Sequence, residues 1–343
     1  CLVNMALVGA VGFGYLLLMM PLPLLGIANS EGDSPPASSV PEQPEESSSG
    51  AQKPAGAEGE VFRLLDSDTG EVYEVADRDF VVGTVAAEMY PTYHTEALKA
   101  QAVASYTYYC VQRQQERADP DPELKGADFA DTLSGAPRYY SDAELKERWG
   151  EHYEAYHDKI TQAVDAVFGR KITYDGEPIS AAYHAISSGT TEDAAVVWGS
   201  SLPYLQPVAS PGDKLSPSYQ STVTFPSEEF KEKLSSVEGC AFGDDPAAWI
   251  AGEPETTSSG TVTKITIGGK AMTGMEVREK LGLRSACFTV AYQDGAFTFT
   301  VLGYGHDVGM SQYGADYMAR QGSDWEEILH YYYTGVVITE PAE

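Results

Sequence analysis

One carboxyl group stands out for its neighbours. Glu88 lies in the run FVVGTVAAEMY, enclosed by Val85, Ala86, Ala87, Met89 and Tyr90. Apolar surroundings strip solvation from the charged form of an acid, so burial there raises its pKa. A carboxyl that stays protonated near neutral pH is what a general acid requires. The plainer alternative is a last-turn Glu turned to solvent. Two polar segments add to the case for chemistry. Tyr183-His184-Ala185-Ile186-Ser187-Ser188-Gly189-Thr190-Thr191-Glu192 and Gly303-Tyr304-Gly305-His306-Asp307-Val308-Gly309-Met310-Ser311-Gln312-Tyr313-Gly314 each combine aromatic rings, an imidazole, hydroxyls and glycine. Tyr183, His184, Ser188 and Gly189 from the first, with His306, Ser311, Gln312 and Tyr313 from the second, form a donor and acceptor set suited to sugar hydroxyls. Either segment alone reads as an ordinary turn. Two of them beside an apolar-embedded acid point to a cleft.

Other chemistries find less support. The glycines from Gly303 to Gly309 miss the spacing of a dinucleotide loop, and no G-x-S-x-G elbow for a serine nucleophile occurs. His152 and His157 would share a helical face poorly and have no cysteine near them, so no metal site is expected. A paired-carboxylate hydrolase needs a second acid roughly 5–10 Å from the first. Glu192 and Asp307, one from each polar segment, are the candidates.

The elements that must position Glu88 are two helices and a turn. Phe80, Val81, Thr84, Val85 and Glu88 fall at helical spacing, with Asp77 or Asp79 placed to cap the start. Pro91 ends that helix, and Thr95-Glu96 opens a second through Ala97, Leu98, Ala100, Ala102, Val103 and Ala104. Glu88 thus sits at the mouth of a helix-turn-helix corner, with Lys99 and Gln101 on the second helix helping to shape the cleft. Before the corner, FRLLDSDTGEVYEV alternates about a turn as a hairpin would. After it come a loop from Ala118 to Arg138, a capped helix from Ser141 continuing through His152 to Phe168, and two short strands around Asp175-Gly176. Thr261 to Gly269 then reads as a strand, Met272 to Leu283 as a helix and Cys287 to Gly305 as a hairpin. A polar loop and a helix near Asp324 to Tyr332 close the chain. Helices and strands without a βαβ rhythm predict an α+β fold, a single mixed helix-and-sheet catalytic domain behind an N-terminal membrane anchor.

The ends and the charge bound the setting. Leu2 to Ala28 is a nearly unbroken apolar run, and about 20 apolar residues suffice to cross a bilayer. Residues 1–28 are therefore expected to be a single-pass anchor, with a cleaved signal peptide as the competing reading. Residues 29–59, rich in Ser, Pro, Glu and Gly, read as an acidic, disordered tether, and residues 60–343 as the folded domain. The 343-residue chain carries 51 acids against 22 Lys plus Arg, a net charge of −29. That field argues against nucleic acid or anionic lipid as the main partner and leaves a neutral polymer such as a glycan. Four cysteines are too few for a disulfide framework, although Cys240 and Cys287 could pair in an oxidising compartment.

Three long segments, in order, carry a family resemblance: AAEMYPTYHTEALKAQAVASYTYY, AAYHAISSGTTEDAAVVWGSSLPYLQPVASP and GYGHDVGMSQYGADYMARQGSDWEEILHYYYTGV. They resemble the stage II sporulation protein D (SpoIID) and LytB family over most of Val61 to Val337. The resemblance implies a membrane-anchored lytic transglycosylase with its domain outside the cytoplasm, cleaving peptidoglycan glycan strands stripped of their stem peptides. It implies a role in forespore engulfment beside a SpoIIP-like amidase and a SpoIIM-like membrane protein; no cofactor is expected from the residues of this chain. It places the catalytic glutamate on Glu88, which would protonate the glycosidic oxygen. The same group would then deprotonate the sugar's own 6-hydroxyl to close a 1,6-anhydro ring, so no second carboxylate is required. LytB relatives imply the alternative of a non-catalytic amidase enhancer, and a water-consuming muramidase is a third reading. Three positions depart from the family pattern. Tyr106 stands where many members carry Arg, and Asp307 where a glycine is common. The loop before Ser141 lacks the Cys and His that hold zinc in some members, so no zinc is expected there.

Overall fold

The computed structural model describes residues 60–133 and 136–341. The expected anchor and the whole of the expected tether lie outside the described residues. Among the described residues no helix is long and apolar enough to cross a membrane.

The chain opens with the expected hairpin. Strand β1 (Val61–Leu65) pairs antiparallel with β2 (Val72–Ala76), and β3 (Phe129–Ala130) adds to β1 in parallel. Helix α1 (Asp77–Glu88) follows β2 directly. Neither expected acid caps it: Ala76 is the cap residue, while Asp77 is the first helical residue and is buried in an ion pair with Arg113 at 2.9 Å. An acid in the first turn also suits the positive end of the helix dipole. The turn through Pro91 leads into α2 (Thr95–Ala118), a 24-residue helix whose cap residue His94 accepts from the Glu96 amide.

Helix α2 is the axis of the molecule. It packs against α1, α4 (Tyr153–Asp165), α8 (Gln312–Arg320) and α9 (Trp325–Tyr332). Its buried residues run around most of its circumference from Ala97 to Arg113, the pattern of a helix enclosed on all sides. Ala97, Ala100 and Ala104 are fully buried, and their small side chains combine high helix propensity with close approach of neighbours. Leu98 is also fully buried, and truncating such a residue to Ala costs about 2–5 kcal/mol.

Around that axis most of the expected elements are present. Helix α3 (Asp142–Trp149) starts with a capping box between Ser141 and Glu144. The sequence pattern ran this helix on to Phe168, but a short 3-10 turn at Gly150–His152 separates α3 from α4, with φ of +50° at Gly150. Ile172–Tyr174 and Glu177–Pro178 form the short strands, and α5 spans Ala194–Trp198.

The described residues mix helices with several small sheets and have two hydrophobic cores. The larger surrounds α2. The second is built from Gln220–Pro226, α6 (Ser227–Leu234), two antiparallel sheets and α7 (Gly274–Leu281), with Phe230, Phe297 and Phe299 fully buried at its centre. Cys240 and Cys287 are unpaired: Cys240 donates to the Ile267 carbonyl and Cys287 is buried beside Gly260. The disulfide allowed by the sequence is not formed.

Candidate active site

The two polar segments, far apart in the sequence, lie side by side. Tyr183–His184 pairs in parallel with Met310–Ser311, and Ile186 bridges to Tyr304. Helix α8 then starts at Gln312, where the sequence pattern read only a loop. Ser311 caps it, its hydroxyl accepting from the Gly314 amide at 3.1 Å. Buried Asp213 ties the pieces together. It accepts from the Ser311 hydroxyl at 2.7 Å, the Ser187 amide at 3.0 Å and the Ser187 hydroxyl. A buried carboxylate satisfied by several donors stiffens what it joins.

Glu88 ends α1 opposite this pair of segments. Gln312 Nε2 donates to its Oε2 at 3.2 Å and lies 3.4 Å from Gln101 Oε1. Gln101 in turn donates to Ser105 at 2.9 Å, and Ser105 donates to the Tyr183 hydroxyl at 3.4 Å. Because Gln312 presents a donor, Oε2 of Glu88 serves as the acceptor and the acidic proton belongs on Oε1. Loss of solvation pushes the Glu88 pKa up to about 7, against the opposing pull of the Gln312 hydrogen bond and the Arg138 charge. Glu88 is half-buried and faces a recess, between the two sequence expectations of a buried acid and a last-turn Glu in open solvent.

A recess of about 350 Å³ opens over this carboxyl, lined by Glu88, Tyr108, Tyr109, Leu133, Arg138, Tyr183 and His306. Burial and the neighbouring His184 and Arg278 hold His306 well below its ordinary pKa, so it is neutral at pH 7. Its Nδ1 accepts from the Val308 amide at 3.1 Å. His184, behind it, is lowered to about 4 by burial. With its Nδ1 bonded to the Val308 carbonyl at 3.1 Å, its Nε2 has no partner.

Not every residue expected at the site reaches it. Glu88, Tyr183 and His306 line the recess, and Gln101 and Gln312 hold Glu88 from behind. Gln101 is fully buried, so it positions Gln312 and does not meet a ligand. Lys99 is turned to Glu96 at 2.7 Å. Ser188 donates to the Ser259 carbonyl at 2.8 Å, and Gly189 packs on the Lys214 stem. Ser311 is a helix cap, and Tyr313 lies edge-on to Tyr93 with ring centres 6.4 Å apart. None of these five forms the lining. Nor do the candidate second acids: Glu192 is bound by Thr257 at 2.6 Å and the Asp193 amide, and Asp307 is buried elsewhere. Among the described residues Glu88 is the only carboxyl in the lining.

The sequence reading missed Tyr108, Tyr109, Leu133 and Arg138. The basic group beside the acid comes from Arg138, at the end of a small hairpin of Thr132–Leu133 and Ala136–Pro137. Tyr106 is not in the recess. Its ring lies tilted against Phe168 with ring centres 5.2 Å apart, and the Lys171 ammonium sits 5.4 Å from its ring centre.

Comparison with known proteins adds a second, independent line. Residues 66–174 match the sequence profile described as "SpoIID: Stage II sporulation protein". The chain is 42% identical over 262 residues to stage II sporulation protein D of Bacillus subtilis (strain 168), covering 76% of this chain and 74% of that protein. The corresponding protein of Bacillus amyloliquefaciens is 41% identical over the same extent. A more distant similarity, 27% over 308 residues, links 75% of this chain to 40% of the amidase enhancer of Bacillus subtilis (strain 168).

Proposed function

This chain belongs to the stage II sporulation protein D family, and from that premise we propose that it is a lytic transglycosylase acting on peptidoglycan glycan strands during sporulation. The observation that carries this reading is a single lining carboxyl whose pKa is pushed up to about 7. A group with that pKa is protonated often enough to donate and, once ionised, basic enough to take a proton back. Glu88 protonates the oxygen between N-acetylmuramic acid and N-acetylglucosamine as an oxocarbenium-like state develops. The glycosidic C–O bond breaks, and its electron pair leaves with the departing sugar. The Glu88 carboxylate then removes the proton of the muramic 6-hydroxyl, whose oxygen bonds to C1. The ring closes, no water is consumed, and Glu88 regains its proton.

The same residues suit that sequence of events. Gln312 steadies the ionised form through its donor, and Gln101 fixes the orientation of Gln312. Tyr108, Tyr109 and Tyr183 supply aromatic walls and hydroxyls to a sugar ring. Anchoring in the membrane, placement of the domain outside the cytoplasm, and action in engulfment with a SpoIIP-like amidase and a SpoIIM-like membrane protein complete the proposal. The similarity to an amidase enhancer favours a second reading, a module that grips glycan and stimulates a partner without cutting.

One digestion separates the readings. Peptide-free strands incubated with the full chain should yield 1,6-anhydro ends by mass spectrometry, lost in Glu88→Gln. Reducing ends carrying solvent oxygen would indicate hydrolysis. Strands that stay intact while bound would favour the enhancer.

A further inference from the structure

Arg138 is a nearly buried cation that forms no ion pair with a described carboxylate. It is 9% exposed, and its hydrogen-bond partners are all neutral. It donates to the Gln112 amide oxygen at 3.0 Å and more weakly to the Thr132 carbonyl at 3.5 Å, and it meets the Tyr109 phenol. Its guanidinium lies 5.4 Å from the Phe129 ring centre and 5.9 Å from that of Tyr109, which fixes its plane. A guanidinium carries five donors, more than these acceptors satisfy. Burying a charge without an opposite partner is costly, and acids are abundant in a chain of net charge −29. Buried Arg113 shows the usual solution, pairing with Asp77 at 2.9 Å and Glu60 at 2.8 Å. No described carboxylate forms an ion pair with Arg138. Among the described residues it is the one cation in the lining of the recess, since His306 is held neutral.

A strand of alternating N-acetylglucosamine and N-acetylmuramic acid offers one anionic group per repeat, the lactyl carboxylate of the muramic residue. That carboxylate exists only when the stem peptide is gone; in a peptide-bearing strand it is tied up as an amide. We propose that Arg138 reads the free lactyl carboxylate of the muramic residue at the cleaved bond and so makes peptide removal the condition for tight binding. The inference rests on the lytic reading of this site and names the group by which its substrate is selected. A planar fork matches a carboxylate through two parallel hydrogen bonds, which a lysine cannot do. Pairing has a second effect. Arg138 pulls the Glu88 pKa down, and a carboxylate bound to Arg138 offsets that pull. The occupied site therefore holds its catalytic proton more firmly than the empty one.

The test uses peptide-free strands in two forms, one with free lactyl carboxylates and one with each converted to its methylamide by carbodiimide coupling. The full wild-type chain is expected to show kcat/KM about tenfold or more higher on the carboxylate strand, expressed mainly in KM, as for a hydrogen-bonded charge pair. In Arg138→Gln that ratio falls to about one, and in Arg138→Lys it is intermediate. A ratio between two substrates measured on one preparation is insensitive to the fraction of protein that folded. Equal kcat/KM on both strands for wild type, or a ratio retained in Arg138→Gln, overturns the proposal. Should wild type cut neither strand, the lytic reading fails separately. Binding of the two strands by wild type and Arg138→Gln then decides: preference for the carboxylate strand lost on substitution supports Arg138, and equal binding refutes it.

Discussion

Glu88 trades stability for acidity, and the trade has a measurable sign. In the unfolded chain a glutamate ionises near pH 4.3, whereas in the fold it holds its proton up to about pH 7. Between those values the folded state binds the extra proton, so stability falls as pH rises through the window and stays lower above it. Glu88→Gln removes the titrating group. It should stabilise the protein at pH 8 by roughly 1–3 kcal/mol and bring no such gain at pH 4, as read from urea unfolding at both values. An equal gain at both would mean the carboxyl is solvated. In activity, kcat/KM should decline above about pH 7 as the acid ionises, and Glu88→Gln should lose about two to four orders of magnitude. Tyr106 makes the opposite case. An Arg there would face Phe168 and the Lys171 ammonium, not the recess. Tyr106→Arg is expected to cost about 1–3 kcal/mol of stability and leave the alkaline limb of the pH profile in place. A displaced limb would show that position 106 does reach the acid. Glu88 was legible because an acid in an apolar run contradicts its surroundings. Arg138 was not, because nothing in its loop records which distant side chain it faces.

Between elements, one glycine decides whether Arg138 can arrive at all. Gly83 lies in α1, just over one turn before Glu88, and the hairpin that ends in Arg138 docks onto it through Tyr140, whose amide donates to the Gly83 carbonyl at 3.2 Å. A Cβ at Gly83 would stand 2.3 Å from the Tyr140 carbonyl oxygen and 2.8 Å from the Tyr139 ring. Alanine gains about 1 kcal/mol of helix propensity over glycine, but backbone at that distance cannot yield without moving the hairpin. Gly83→Ala should therefore lower the unfolding midpoint. By drawing Arg138 away from Glu88 it should also shift the alkaline limb of kcat/KM upward. A variant more stable than wild type with an unmoved limb would mean the hairpin is held by other contacts. The sequence pattern revealed α1, α2 and the capped start of α3, where period and cap agree. It concealed α8, because glycines at 309 and 314 flank a helix start signalled only by Ser311. That mistake mattered, since Gln312 reaches Glu88 from the first turn of that helix.

Across the whole molecule, the two cores meet where buried Arg278 and Asp307 lie within electrostatic reach of each other close behind the recess. Arg278 extends from α7 of the second core, 5% exposed, with Nε and Nη2 lacking partners. Asp307, from the segment that carries His306, is 3% exposed with Oδ1 unpartnered. Burial pushes the Asp307 carboxyl well above the usual range, and the Arg278 charge opposes that rise. The backbone at Asp307 has φ of +67°, a region that favours glycine, which accounts for the glycine common at this position in the resemblance. This chain accepts the strain of a side chain there and sets a carboxyl group in the field of the α7 guanidinium. The separate second core was not legible, because residues 220–302 share the mixed pattern of their surroundings and no linker marks them off. Asp307→Gly alone mixes relieved strain with a lost partner, so its own effect has no diagnostic sign. A double-mutant cycle with Arg278→Met isolates the pair. Asp307→Gly should be less costly, or more stabilising, by about 1 kcal/mol or more in the Arg278→Met background than in wild type, measured by denaturant unfolding. Additive effects would mean that apolar contact alone joins the second core to the segment bearing His306. A favourable coupling would instead tie the placement of that wall of the recess to a charge carried on the other core.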